Sequence, residues 1–163
     1  MNKLGFETNK RIHSEWNNQR KSAEIDGKVC HFRSKLEYNW ALYCQFRKEQ
    51  GLIKDWWYEQ TTFRFEEEAK KQRPGVIVYL VDFDIRNNDD TFHYEECKGR
   101  LTGKDREKFR KVAKYYPDTK IHLVMQNISK RDMNGIRIAE KYVARVVNAR
   151  EVFRQVKGLL EFA

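Results

Sequence analysis

The sequence is short of the features that mark several protein classes. It has only 3 cysteines, Cys30, Cys44 and Cys97. They are odd in number and lack C-x-x-C spacing, which argues against a disulfide scaffold and fits a reducing, cytoplasmic setting. No stretch approaches the roughly 18 apolar residues that a membrane span needs. Residues 1–10 carry no apolar segment, so no secretory signal is expected. A Gly-rich phosphate loop is missing, which counts against an ATP-driven enzyme. His13, His31, His93 and His122 have no H-x-x-x-H or paired cysteine spacing, so no zinc site is expected. There are no internal repeats and no Pro- or Ser-rich linker, and Pro74-Gly75 is the one strong turn signal inside the chain. The 163 residues are therefore read as one domain.

Large aromatic side chains are plentiful, with 10 Phe, 8 Tyr and 4 Trp, enough for a single compact core. The net charge is +9 and the pI near 9.5. Such an excess favours a polyanionic partner, because each neutralised phosphate releases condensed counterions. Plain solubility charge is the alternative. Distribution favours the first reading, since seven of the fifteen residues 100–114 are basic and only Asp105 and Glu107 are acidic.

Residues 8–23 read as a weakly docking helix. Asp26-Gly27 marks a tight turn between two short strands. Ser34 and Glu37 form an S-x-x-E capping box ahead of a helix that Gly51 ends. Residues 52–58 and 61–65 follow as strands, and 66–73 as a loop. Residues 76–85 and 91–98 are expected to form a hairpin, followed by a helix over 104–116 and a strand over 120–125. The pattern then stays ambiguous until a last helix that Asn148 caps. The order implies an α/β fold with a mixed sheet flanked by helices.

The chemistry is concentrated in that hairpin. On a strand, alternate side chains share a face, so Glu96 and Lys98 point one way and Glu95 and Cys97 the other. With a three-residue loop over 88–90, Asp82 lies directly opposite Glu96. Opposed β-carbons are then roughly 4.5–5.5 Å apart, close enough for two carboxylates to share a divalent ion. An amphipathic hairpin with scattered surface charges is the plain alternative. Glu95 is left without a partner by this reading. Trp56, Trp57 and Tyr58 are read as core rather than as base-stacking residues.

The stretch from Asp26 to Glu37, with Val81-Asp82-Phe83 and Glu96-Cys97-Lys98-Gly99, resembles phage-type endonucleases of the PD-(D/E)XK superfamily, notably endonuclease I Holliday-junction resolvases and a related uncharacterised phage family. The resemblance covers about residues 24–125, with 1–23 and 126–163 as N- and C-terminal extensions, and Val81 stands where the name-giving proline is usual. It implies a restriction-endonuclease-like core and a Mg²⁺- or Mn²⁺-dependent endonuclease selective for branched DNA, working as a homodimer. Asp82, Glu96 and the Cys97 carbonyl would hold the metal, Glu37 would add a further acidic ligand, and Lys98 would be the catalytic lysine, with Gln60 in support. Glu37 could equally serve only its helix cap. Arg100, Lys104, Lys108 and Lys111 would track DNA phosphates, against the alternative of a solvated helix face. A nuclease subunit of a transposition or DNA-packaging complex, a non-catalytic basic DNA-binding module, and RNA as substrate are the competing readings.

Overall fold

The computed structural model describes residues 20–163. The helix expected over 8–23 lies largely outside that range, and its last residues belong instead to a strand. β1 (Lys21–Ile25) and β2 (Lys28–Phe32) form an antiparallel hairpin. Asp26 (φ 53°) and Gly27 (φ 72°) supply the two left-handed residues that such a tight turn requires. α1 (Lys35–Glu49) follows, with the Ser34 hydroxyl accepting the Glu37 N–H at 3.2 Å. Ile25, Cys30 and Phe32 pack against Leu36 and Trp40 of this helix.

The main sheet has the order β3–β6–β7–β8–β9, built from β3 (Asp55–Tyr58), β6 (Phe83–Arg86), β7 (Phe92–Lys98), β8 (Ile121–Met125) and β9 (Arg145–Asn148). Its first three strands run antiparallel and its last three parallel. Parallel neighbours need crossovers. α3 (Gly103–Tyr115) provides the first and α4 (Met133–Ala139) the second. This is the mixed α/β architecture expected. β9 and α4 occupy the stretch whose pattern was ambiguous, and the final helix α5 (Ala149–Gln155) starts after Asn148, although that side chain makes no cap bond. A loop expected over 66–73 instead contains a single helical turn, α2 (Glu66–Ala69).

Each face of the sheet carries its own core. Trp40 and Cys44 of α1 and Ala149 of α5 meet Trp56, Phe83, Ile85, Cys97 and Val124 on one face. Phe109 and Val112 of α3 and Ile136 and Ala139 of α4 meet Tyr79, Val81, Leu123 and Met125 on the other. Residues beyond 125 thus supply the fifth strand and part of the core. Trp56 and Tyr58 are core, as expected, whereas Trp57 points to the other face, is half-buried and stacks on Phe92. Among the described residues, no helix is long and apolar enough to cross a membrane.

The strand expected over 76–85 is broken in two, and the break positions the site. β5 (Val78–Leu80) pairs with β4 (Thr62–Arg64), while β6 pairs with β3. Tyr79 and Val81 pack with α3, yet Phe83 and Ile85 pack with α1. All four numbers are odd, so an unbroken strand could not satisfy both faces. The partner chain takes up the slip with one extra residue, since Tyr58 pairs with Phe83 but Thr62 with Leu80. Glu59 (φ 51°) forms this bulge, and its N–H reaches the Asp82 carbonyl at 2.8 Å. Asp82 sits at the slip itself.

Candidate active site

β6 and β7 pair with Phe83 opposite Glu95, Asp84 opposite Tyr94 and Ile85 opposite His93. One step further along the same register sets Asp82 opposite Glu96. The connecting loop is the three residues 88–90, closed by the Asn87 N–H on the Thr91 carbonyl (2.8 Å). This is the three-residue case, one of the registers the sequence left open, that sets the two carboxylates face to face. Gln126 donates its N–H to the Lys98 carbonyl (2.9 Å), so alternation turns both backbone groups of Cys97 toward β6. There the Cys97 N–H meets Asp82 Oδ2 at 2.8 Å, and its carbonyl is directed to the same side.

The carboxylates are held tightly. Asp82 is 2 % exposed and Glu96 1 %. Glu96 Oε2 accepts from the Tyr79 hydroxyl (2.8 Å) and from the Asp82 N–H (3.3 Å). Lys98 Nζ stands 2.8 Å from Glu96 Oε1 and 3.3 Å from Asp105 Oδ1, at the start of α3. Arg33 Nη2 bridges Asp82 Oδ1 (2.9 Å) and Glu59 Oε1 (2.7 Å). Glu37 keeps its cap role and more: it accepts from the Ser34 hydroxyl (3.0 Å), the Arg33 N–H (2.9 Å) and the Tyr58 hydroxyl (2.6 Å). Three donors thus hold its carboxylate, which acts on a cation through its charge or a bridging water more readily than by direct contact.

Burial, then the charges of Glu96 and Glu37, push the Asp82 carboxyl well above the usual carboxylate range. Burial works against the Lys98 ammonium, but Glu96, Asp82 and Asp105 outweigh it and hold it charged. The lysine therefore enters as a cation and a hydrogen-bond donor. With every group ionised, the carboxylates of Glu37, Glu59, Asp82, Glu96 and Asp105 form ion pairs, among the described residues, with the cations of Arg33, Lys98 and Lys108. The group is two positive charges short, and its donors are all oxygens. Both features fit a divalent ion such as Mg²⁺.

No family model and no curated protein matches this chain.

Other candidate residues fall less uniformly. Gln60 is exposed and its amide donates to the Tyr58 carbonyl (3.2 Å), which commits it to its own strand end. Arg100 and Lys104 are exposed beside the site, and Lys108 lies over the Tyr79 ring at 5.2 Å. Lys111 is a correction. It is 1 % exposed, and its ammonium donates to the Pro74 and Val76 carbonyls and pairs with Glu107 (2.8 Å) and Glu68 (3.4 Å). It ties α3 to the chain before β5 and is not available to a phosphate, because segment 66–76 folds back over the face that helical spacing alone left open. We expect Lys104→Ala to weaken DNA binding at all sequences and to reduce the salt slope by about 1. Lys111→Met should leave that slope unchanged and lower the urea midpoint instead. Fluorescence anisotropy across a salt series, with an unfolding curve for each variant, distinguishes the two.

Sequence reading gave no role to Arg33, Tyr79 or Asp105, although all three contact the central carboxylates or the lysine. Asp105 carried a usable signal, because Thr102-x-x-Asp105 is a capping box that sets it at the start of α3, facing Lys98. Nothing in the pattern marks Tyr79, whose partner is far off in sequence.

On the α1 face, β7 and β8 bring together His93, Glu95 and His122, with ligand atoms within 4.8 Å of one another. Spacing along the chain hides this group, since Glu95 and His122 are register partners on different strands. Glu95 finds its partner here. Arg47 of α1 grips it with Nη1 at 2.8 Å and Nη2 at 2.7 Å, the Trp40 indole donates at 2.7 Å, and His93 Nε2 lies at 3.1 Å. The residue types could hold a metal, but Arg47 already neutralises the one carboxylate and fills its oxygens. His122 stacks on His93 at 4.2 Å. Burial, followed by His93, lowers its pKa to about 4 from 6.5. The unfolded chain gains this proton as pH falls through about 6.5, and the folded chain only near 4. Stability present above the first value should thus be lost between the two. Urea midpoints at pH 7.5 and 5 should differ, and His122→Asn should shrink the difference.

Proposed function

We propose that the protein is a Mg²⁺- or Mn²⁺-dependent endonuclease that hydrolyses phosphodiester bonds in DNA. One observation carries the reading: Asp82, Glu96 and Lys98 converge at the end of β7, with two buried carboxylates beside one ammonium. Asp82, Glu96 and the Cys97 carbonyl would hold the ion, which supplies polarisation of the scissile phosphate when bound.

The chain's own residues do the rest. The Cys97 N–H fixes one oxygen of Asp82 and Tyr79 one oxygen of Glu96, so both carboxylates are oriented before any ligand arrives. The Lys98 ammonium can donate to the attacking water or to a non-bridging phosphate oxygen, and so stabilise the charge that grows in the transition state. Asp105 positions that ammonium from the α3 side. Arg100, Lys104 and Lys108 provide backbone contacts that set register without reading bases. Selectivity for branched DNA rests on the resemblance to endonuclease I resolvases.

The test is direct. Purified protein with Mg²⁺ or Mn²⁺ is incubated with a four-way junction, a flap, a linear duplex and an RNA of matched sequence. Cleavage of the junction or flap that EDTA abolishes supports the reading. Binding of every substrate with no cut strand, at any concentration of either metal, would leave a basic DNA-binding module in its place.

A further inference from the structure

Two arginines of this protein meet buried carboxylates in very different ways. Arg47 is 12 % exposed over Glu95, a locked pair. The Arg33 side chain is 56 % exposed above the buried carboxylate of Asp82. Its guanidinium lies at the mouth of the site, between Asp82 and Glu59, with Nε 4.0 Å from Glu37. Of the two Asp82 oxygens, Oδ2 is committed to the Cys97 N–H, so Oδ1 is the one left for a cation from outside. Arg33 occupies that oxygen. The residue also lies at the junction of β2 and α1, where its backbone N–H is tied to Glu37 while its side chain is 56 % exposed.

We infer that Arg33 is an exchangeable counter-charge: it neutralises Asp82 Oδ1 until a divalent ion binds there, and the released guanidinium then grips a phosphate of the substrate. The inference rests on the nuclease reading above. Its chemistry follows from the two ligands on offer. A planar guanidinium binds phosphate oxygens in a bidentate fork as readily as it binds a carboxylate. An ion of charge two displaces a single-charge donor from a buried oxygen, and the displaced donor is near the phosphate that the ion polarises. Glu59, at the bulge, holds the same guanidinium nitrogen at 2.7 Å and offers it a second carboxylate at the rim of the site.

The experiment compares wild type, Arg33→Ala and Arg33→Lys. Mn²⁺ affinity is measured by electron paramagnetic resonance without DNA, DNA affinity in Ca²⁺ by anisotropy, and cleavage by single turnover. Arg33→Ala should bind Mn²⁺ more tightly than wild type, because a competitor is gone, yet bind DNA more weakly and cleave it on the order of 10–100-fold more slowly. Arg33→Lys should recover part of the DNA affinity but less of the rate, for want of the fork. Circular dichroism confirms that each variant is folded, and Arg33→Gln replaces any that is not. Unchanged or weaker Mn²⁺ binding by Arg33→Ala overturns the exchange, and undiminished DNA affinity and cleavage overturn the phosphate contact. A wild type that binds no Mn²⁺ at all would instead defeat the nuclease reading itself.

Discussion

Lys98→Met should lower the single-turnover cleavage rate by about a hundred- to ten-thousand-fold while DNA and Mn²⁺ still bind. The variant keeps the length of the side chain and removes only its ammonium, which stands 2.8 Å from Glu96 and is kept charged by the acids around it. Both carboxylates and the Cys97 carbonyl are untouched, so a bound ion should persist. Glu96→Gln should behave otherwise, with loss of Mn²⁺ binding as well as of cleavage. A gel-based time course with a metal titration for each variant reads both effects. Equal cleavage by wild type and Lys98→Met would remove the lysine from the mechanism.

The second large effect concerns stability. Arg47→Met should destabilise the fold by about 3–5 kcal/mol, because it strands the Glu95 carboxylate deep between α1 and the sheet. Glu95 is 2 % exposed, and its pKa is held below the usual range by Arg47 and His93 in spite of burial. Trp40, His93 and the Cys44 thiol would remain as its neighbours. The double variant Arg47→Met, Glu95→Gln removes both charges and should regain much of the loss, since a matched neutral pair carries little desolvation cost. Urea unfolding of the two variants at pH 7.5 checks this. A single-variant cost below about 1 kcal/mol would show that the pair is not what anchors α1.

The two charge clusters lie on opposite faces of the same strand and differ in what completes them. Around Glu95, the guanidinium balances the charge within the protein and the indole completes its hydrogen bonds. Asp82 and Glu96 are paired instead with Arg33 and Lys98, of which Arg33 is 56 % exposed, so that their counter-charge lies partly at the surface. Adjacent residues of β7, Glu95 and Glu96, thus serve stability and the candidate chemistry respectively.

Much of this was determined by the sequence alone. Periodicity of two set Glu96 and Lys98 on one face, whereas the register that opposes Asp82 to Glu96 was one of the alternatives the sequence allowed and the structure selected. Ser34, Glu37 and Gly51 delimited α1 through local backbone chemistry, which needs no distant partner. Tertiary structure decided what depended on residues far apart in the chain. The slip at Asp82 exists because Tyr79 and Phe83 must reach different cores, and strand pattern cannot register that demand. Lys111 lost its place on the open face only because segment 66–76 returns over α3. Arg47 found Glu95, and Arg33 found Asp82, across separations of 48 and 49 residues. A buried charge selects its partner by position in space, and the linear order of residues carries no record of that choice.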